Sequence, residues 1–337
     1  MQKKLIALAV AGLASTAAFA QSNVTVYGIA DVGYAYVDAD GFKGLHNVNS
    51  GILSTSRLGF KGVEDLGNGL KALFTLEYGL TLDQNTGIGA GAAAARQQFV
   101  GLTGGFGTAV AGRLQTTGLD FTVASSALGG SNPIGAVNRV GGSTLVSAVS
   151  RANNAVAYIS PSFGGVVVAL NHARNPLAAE ALVASGAATN NDYANLISAS
   201  YDNGPISAGV VYSKLTVAST VAGDNVTEWG VRGGYDFGVA KLQGAYQEQD
   251  VDGANRDNKK FVVSVSAPVT AKIGVIGEYS KLYQGNTAAK DNVYSATLAG
   301  TYSLSKRTTA YAAVNTLNAD GANNTVNTYG LGLRHSF

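Results

Sequence analysis

No cysteine occurs among the 337 residues, which excludes a disulfide framework, thiolate chemistry and any cysteine-based zinc site. Histidine is nearly as scarce: His46, His172 and His335 are the whole supply, far apart and without ligand spacing, so no metal site is expected. Charge is thin as well. Charged residues make up 13% of the chain, against roughly 25% in an ordinary soluble protein, and no basic tract exists to track a nucleic-acid backbone. Catalytic signatures are missing too, with no G-x-S-x-G elbow and no paired-histidine motif. Gly87-Ile88-Gly89-Ala90-Gly91-Ala92 superficially matches a dinucleotide fingerprint, but no βαβ context surrounds it to aim backbone amides at a pyrophosphate. The chain is therefore not read as an enzyme, and no catalytic residue, cofactor or metal is assigned.

The first twenty residues read as an export signal. Lys3 and Lys4 form a positive n-region, Leu5 to Leu13 an uncharged and mostly apolar h-region, and Ala18-Phe19-Ala20 an A-x-A cleavage site. A membrane-anchoring helix is the competing reading, but the run is about half of the roughly 20 residues that a span needs. Residues 1–20 are thus expected to be removed, leaving one domain over 21–337. Without Lys3 and Lys4 the 23 basic residues become 21, equal to the 21 acidic ones, so the mature chain carries no net charge. Beyond Gln21 no stretch is apolar enough to cross a bilayer as a helix.

What the chain has in quantity is a period of two. From Tyr329 to Phe337 the large side chains Tyr329, Leu331, Leu333, His335 and Phe337 alternate with Gly330, Gly332, Arg334 and Ser336. Val24, Val26, Gly28, Ala30, Val32, Tyr34 and Tyr36 form one face of an opening strand whose other face carries Thr25, Tyr27, Asp31 and Gly33. Tight connections recur at EDLGNG (64–69), GGFG (104–107), SPSFGG (160–165), DNGP (202–205), DFG (236–238), APVT (267–270) and SLSKR (303–307). Eight longer stretches separate them, near 38–53, 83–95, 114–150, 173–191, 217–225, 250–258, 284–290 and 318–324. Seven turns and eight loops imply about sixteen strands with both ends on the turn side. A secreted sandwich or adhesin would also alternate, but it would need a core that this composition lacks. The economical solution is an all-β transmembrane antiparallel barrel with short periplasmic turns, long outer loops and an apolar face toward outer-membrane lipid.

Particular blocks extend this reading to a family. Val24-Thr25-Val26-Tyr27-Gly28 with Asp31, the run from Ser56 to Ala72 (SRLGFKGVEDLGNGLKA), Arg96-Gln97-Gln98-Phe99-Val100-Gly101-Leu102, Gly104-Gly105-Phe106-Gly107-Thr108, Ala111-Gly112-Arg113, Tyr158 to Gly165 and the terminal Phe337 resemble the Gram-negative general porins of the betaproteobacterial, neisserial and Burkholderia type. The resemblance covers the whole mature chain. It implies a sixteen-stranded barrel, usually a homotrimer, whose third loop folds into the lumen and which passes small hydrophilic solutes and ions through the bacterial outer membrane. It also implies that Phe337 belongs to the terminal signal read by the barrel-assembly machinery.

The resemblance places Arg57, Arg96 and Arg151 where anion-preferring members carry basic constriction residues, and arginine stays charged at any relevant pH. Arg113 is expected to point inward near the same level, because Val110 and Gly112 are read as the opposite phase. An interior ion pair or loop anchor is the plainer role for any one of them. Inward Asp31 and Glu77 are candidate partners. In the third connection, Leu114 to Ser150, the sole acid is Asp120, matched by Arg139, whereas cation-preferring porins carry several carboxylates there. Gly118, Gly129, Gly130, Gly135, Gly141, Gly142 and Pro133 suit a tightly folded inward loop, with a disordered outer loop as the alternative. The expected function is a general diffusion porin preferring anions; a substrate-specific channel for an anionic metabolite or sugar is the rival, disfavoured because most aromatics are phased outward.

Overall fold

The computed structural model describes residues 23–84, 95–129, 134–140, 149–177, 192–217, 225–252, 256–285, 292–320 and 325–337. The proposed signal segment, the Gly87 to Ala92 run, Gly130, Pro133, Gly141 and Gly142 lie outside them. Among the described residues one antiparallel sheet holds β1 (Asn23–Ala39), β2 (Leu45–Ser50), β3 (Arg57–Gly67), β4 (Leu70–Gly79), β5 (Ala95–Gly104), β6 (Gly107–Gln115), β7 (Arg151–Ile159), β8 (Val166–Arg174), β9 (Tyr193–Asn203), β10 (Ile206–Thr216), β11 (Val226–Asp236), β12 (Lys241–Val251), β13 (Arg256–Pro268), β14 (Ile273–Gln284), β15 (Val293–Ser303), β16 (Thr308–Ala319) and β17 (Val326–Ser336). Two helices, α1 (Thr117–Ser125) and α2 (Ala136–Arg139), interrupt the run between β6 and β7.

From β3 onward each strand pairs with the next, and β17 returns to β1 with Asp31 opposite Arg334, so the sheet closes without an edge. β3 pairs with β1 over Asn23 to Ile29 and β2 with β1 over Val32 to Val37. These two are halves of one wall strand, so the seventeen segments make a sixteen-stranded barrel. Closure is what the bilayer demands, because an unpaired backbone N–H or C=O in hydrocarbon costs several kcal/mol. That demand overrides local propensity at 38–53. This stretch reads as a polar connection, yet Leu45–Ser50 is a strand, its backbone groups taken up by β1 and its Val48 exposed on the outer face opposite Tyr34.

The barrel inverts the burial order of a soluble protein. Val24, Val26, Tyr34, Trp229, Val231, Tyr235, Leu331, Leu333 and Phe337 are exposed, while Asp31, Ser213, Glu228, Gln247, Ser264, Glu278 and Asn315 are buried. The seven tight turns stand where the sequence puts them. β12, the weakest alternation, carries Glu248 on the outer face, where it pairs with Lys259 at 3.3 Å and accepts a hydrogen bond from Tyr246 at 2.6 Å.

Inside the barrel α1 lies against β8–β12 and α2 against β13–β16. Three apolar patches seat this third loop on the wall: Leu114 and Val149 with Ala155, Ala194 and Leu196; Leu128 and Ile134 with Ile52, Ala299 and Ala313; and Phe121 and Val137 with Val211 and Val262. The inward-folded third loop thus follows from packing.

At the seam the chain end is fixed by two backbone hydrogen bonds, Gly28 N to Phe337 O at 3.0 Å and Phe337 N to Gly28 O at 3.2 Å. The Phe337 ring covers Gly28 so closely that a Cβ there would lie 2.4 Å from its Cζ. Gly28→Val should therefore displace the ring and cost about 1–3 kcal/mol, as overpacking does. The expected readout is a lower temperature of conversion from the folded to the unfolded band on heat-modifiability gels; an unchanged temperature would contradict the packing described.

Candidate pore constriction

One register row builds the arginine side of the lumen. Tyr27 on β1, Gly59 on β3 and Glu77 on β4 face one another in sequence. Gly59 is needed because the Tyr27 ring lies across it, within 2.3 Å of where a Cβ would stand. Lying flat, Tyr27 reaches over one strand and donates its hydroxyl to Glu77 Oε2 at 3.0 Å. The other carboxylate oxygen, Oε1, accepts from Arg96 Nε at 2.7 Å, and both side chains of this ion pair are nearly buried.

Arg96 reaches this position by a fault in the sheet. On β5 Val100 and Leu102 are exposed on the outer face, so strict alternation would send Arg96 outward as well. The pairing slips between Glu77–Gln97 and Tyr78–Ala95, leaving Arg96 as the extra residue of a β-bulge, and the bulge turns it into the lumen. Arg57 needs no such device: it opens β3 in phase with Gly59, and its Nε donates to Thr55 O at 3.0 Å. Arg151 opens β7, and its buried Nε has no hydrogen-bond partner among the described residues. Arg57, Arg96 and Arg151 all feel one another's charge together with that of Glu77. The structure thus brings three guanidiniums and one carboxylate to a single level.

Arg113 is placed differently from the expectation. On β6 Ala109 and Ala111 are exposed while Leu114 is buried under the third loop, so Val110 and Gly112 share the inward phase and Arg113 falls with the outward set. Its guanidinium is tied to the wall, through Ala95 O at 2.7 Å and Asn153 Oδ1, and it acts electrostatically on Arg151. The sequence misleads here because alanine is too small to declare a face.

Asp31 is inward but buried, and it bonds to Tyr311 and Ser54 rather than to an arginine of the cluster. Arg334 on β17, directly opposite Asp31 in register, is the inward cation that residue patterning left unassigned; it acts electrostatically on Arg57. Its sole signal in sequence was its place between Leu333 and His335 on the wet face.

Across from the arginines, α1 starts at Thr116, whose hydroxyl accepts from Leu119 N and donates to Val149 O at 2.6 Å. Asp120 in its first turn accepts from Gln115 Nε2 at 2.6 Å and faces the charge of Arg151. Burial pushes its carboxyl up to about 7. Arg139 does not offset it: that guanidinium is held on the opposite stretch of wall by Asn315 Oδ1 at 3.2 Å and Thr328 Oγ1 at 3.5 Å. The loop is clamped by Glu278 on β14, which accepts from the Ser126 hydroxyl, from Val137 N at 3.2 Å and from the N–H groups of Ala136 and Leu128. A carboxylate at the first turn of α2 also satisfies orphan amides that any helix start leaves. The three histidines hydrogen-bond separately on the exposed face, to Tyr34, Asn195 and Thr308.

A closed barrel, a lumen lined by polar groups and a loop folded against an arginine cluster are the parts of a channel for hydrophilic solutes. Comparison with known proteins decides the family: the model of the Gram-negative porin matches residues 7–332. The chain belongs to the Gram-negative porins. Outer membrane porin protein 32 of Delftia acidovorans is 36% identical over 92% of this chain and 88% of the relative, and the major outer membrane protein P.IB of Neisseria meningitidis is 29% identical over the full length of both. Among solved structures, the anion-selective porin from Comamonas acidovorans superposes with a TM-score of 0.78 at 28% identity, covering 94% of this chain and all of that one. This porin is an outer-membrane β-barrel that crosses the membrane with its strands, as the sequence resemblance implied.

Two outcomes follow for the porin. Because the Asp120 carboxyl titrates near 7, it is ionised at pH 8 and neutral at pH 6, leaving the cluster as three guanidiniums against two carboxylates or against one. Anion preference measured by reversal potential should therefore rise from pH 8 to pH 6, and Asp120→Asn should flatten that dependence. Glu278→Gln should strand loop amides at about 1–3 kcal/mol and loosen the loop, giving larger and noisier single-channel conductance in a barrel that still runs as folded protein.

Proposed function

We propose that this porin is a general diffusion channel that prefers anions, exported by removal of residues 1–20 and assembled as a homotrimer. The observation that carries the preference is the charge count at one level of the lumen. Arg57, Arg96 and Arg151 meet a single strand carboxylate, Glu77, and that carboxylate is already taken up by Arg96 and Tyr27. The third loop brings only Asp120, and Arg334 adds a further cation beside Arg57. Charges closer than the Debye length of roughly 8 Å act jointly on an ion at the eyelet. The relative from Comamonas acidovorans, described as anion-selective, supports the same sign.

A sugar- or metabolite-specific channel is less well supported, since the described residues of the wall do not form an aromatic ladder along the lumen. Tyr27 and Tyr311 point inward, but both give their hydroxyls to carboxylates. Passage is physical and requires no bond to form or break. For assembly, Phe337 on the closing strand is proposed as the terminal residue read by the barrel-assembly machinery.

The reversal potential across a salt gradient in planar bilayers tests the assignment. The parent should prefer anions, and Arg57→Ser with Arg96→Ser and Arg151→Ser should shift the potential toward cation preference, with single variants giving smaller steps. A parent that prefers cations, or a triple variant with an unchanged potential, would show that the selectivity resides elsewhere.

A further inference from the structure

We infer that Asp31, a carboxylate, strengthens the preference for anions, because it is the pin that positions Arg57; this rests on the anion-preferring reading above. Between β2 and β3 the wall strand leaves the sheet and turns inward over residues 51–56, starting at Gly51 with φ +78°. The turn seats Ile52, 4% exposed, against Leu128 and Ile134 of the third loop, and it ends on Arg57. Such an inward excursion leaves backbone amides without ladder partners.

Asp31 supplies those partners from the neighbouring strand. Its Oδ2 accepts from Ser54 N at 2.7 Å, and the N–H of Leu53 also bonds to the carboxylate. Its own backbone is stitched to the same turn: Gly51 N donates to Asp31 O at 2.7 Å, Ser56 Oγ donates to Asp31 O at 3.0 Å, and Asp31 N donates to Ser56 Oγ at 3.1 Å. The second oxygen, Oδ1, accepts from the Tyr311 hydroxyl at 2.6 Å. Tyr311 reaches it by lying across Gly332, where a Cβ would come within 2.3 Å of the hydroxyl. Asp31 is fully buried, and Arg334 stands opposite it in the β1–β17 register, so its charge is compensated inside the wall.

The consequence passes along the chain. Held at Leu53 and Ser54, the turn presents Thr55 O, and that carbonyl receives Arg57 Nε at 3.0 Å. A buried, compensated charge contributes little field to a passing ion, whereas a guanidinium moved by a few ångström within a narrow pore changes it strongly. Asp31 is therefore a positioning residue, and its effect on selectivity has the opposite sign to its charge.

The test is a double-mutant cycle of reversal potentials with Asp31→Asn and Arg57→Ser, each folded by the heat-modifiability criterion. Simple charge counting predicts that Asp31→Asn raises the anion-to-cation permeability ratio. Positioning predicts a fall of roughly twofold, absent when Arg57→Ser is already in place. Tyr311→Phe, which keeps the carboxylate and removes one donor to it, should shift the ratio in the same direction by less, and it serves if Asp31→Asn does not fold. A rise in the ratio with Asp31→Asn, an equal effect with and without Arg57, or no shift with Tyr311→Phe alone when Asp31→Asn cannot be made, would overturn the inference. If Arg57→Ser itself leaves the potential unmoved, the constriction assignment fails instead, and the two failures are told apart.

Discussion

Everything in this barrel depends on one constraint: a backbone in hydrocarbon has no water to bond to, so each strand must find two neighbours. Closure of β17 on β1 meets that demand at the seam, and the bonds between Gly28 and Phe337 carry it to the last residue. The side chains follow from the wall. With lipid outside and a wet lumen inside, valine, leucine and aromatic residues go out and carboxylates, amides and hydroxyls go in.

The residues proposed for the constriction are delivered where the ladder is broken. The bulge at Arg96 converts an outward position into a lumen charge. The break between β2 and β3 lets six residues turn inward and deliver Arg57. Each irregularity strands polar groups, and each is answered by a buried carboxylate: Glu77 at the bulge, Asp31 at the break, Glu278 under the third loop. Glycines in neighbouring strands, Gly59 and Gly332, let Tyr27 and Tyr311 lie flat and complete the first two of these sites.

Such carboxylates are easily miscounted as pore charges. Asp31 and Glu278 face inward and are ionisable, but both are consumed by amide and hydroxyl donors of the wall and loop. Glu77 is spent on Arg96 and Tyr27. In the function proposed for this porin, the field across the eyelet is set by the guanidiniums of Arg57, Arg96 and Arg151, with Asp120 as the opposing group on the loop side.

The sixteen strands, the seven tight turns, the lipid-facing set and the family were legible in the chain, because alternation and turn chemistry are local and a bilayer leaves few folds that satisfy them. Glu77 was legible for the same reason, lying in phase with its neighbours, whereas Arg57 was expected at the constriction from the family resemblance. The remainder was settled by pairing between strands remote in sequence. Whether Arg96 faces in depends on a slip against β4, whether Arg113 does depends on which of the small residues beside it lie under the third loop, and Leu45–Ser50 is a strand because β1 has a free edge to fill. Above all, Asp31 and Tyr311 are 280 residues apart, and only closure of the barrel puts them in one hydrogen bond. Period and composition determine which face a residue prefers; the register of distant strands decides which charge it meets, and selectivity depends on that meeting.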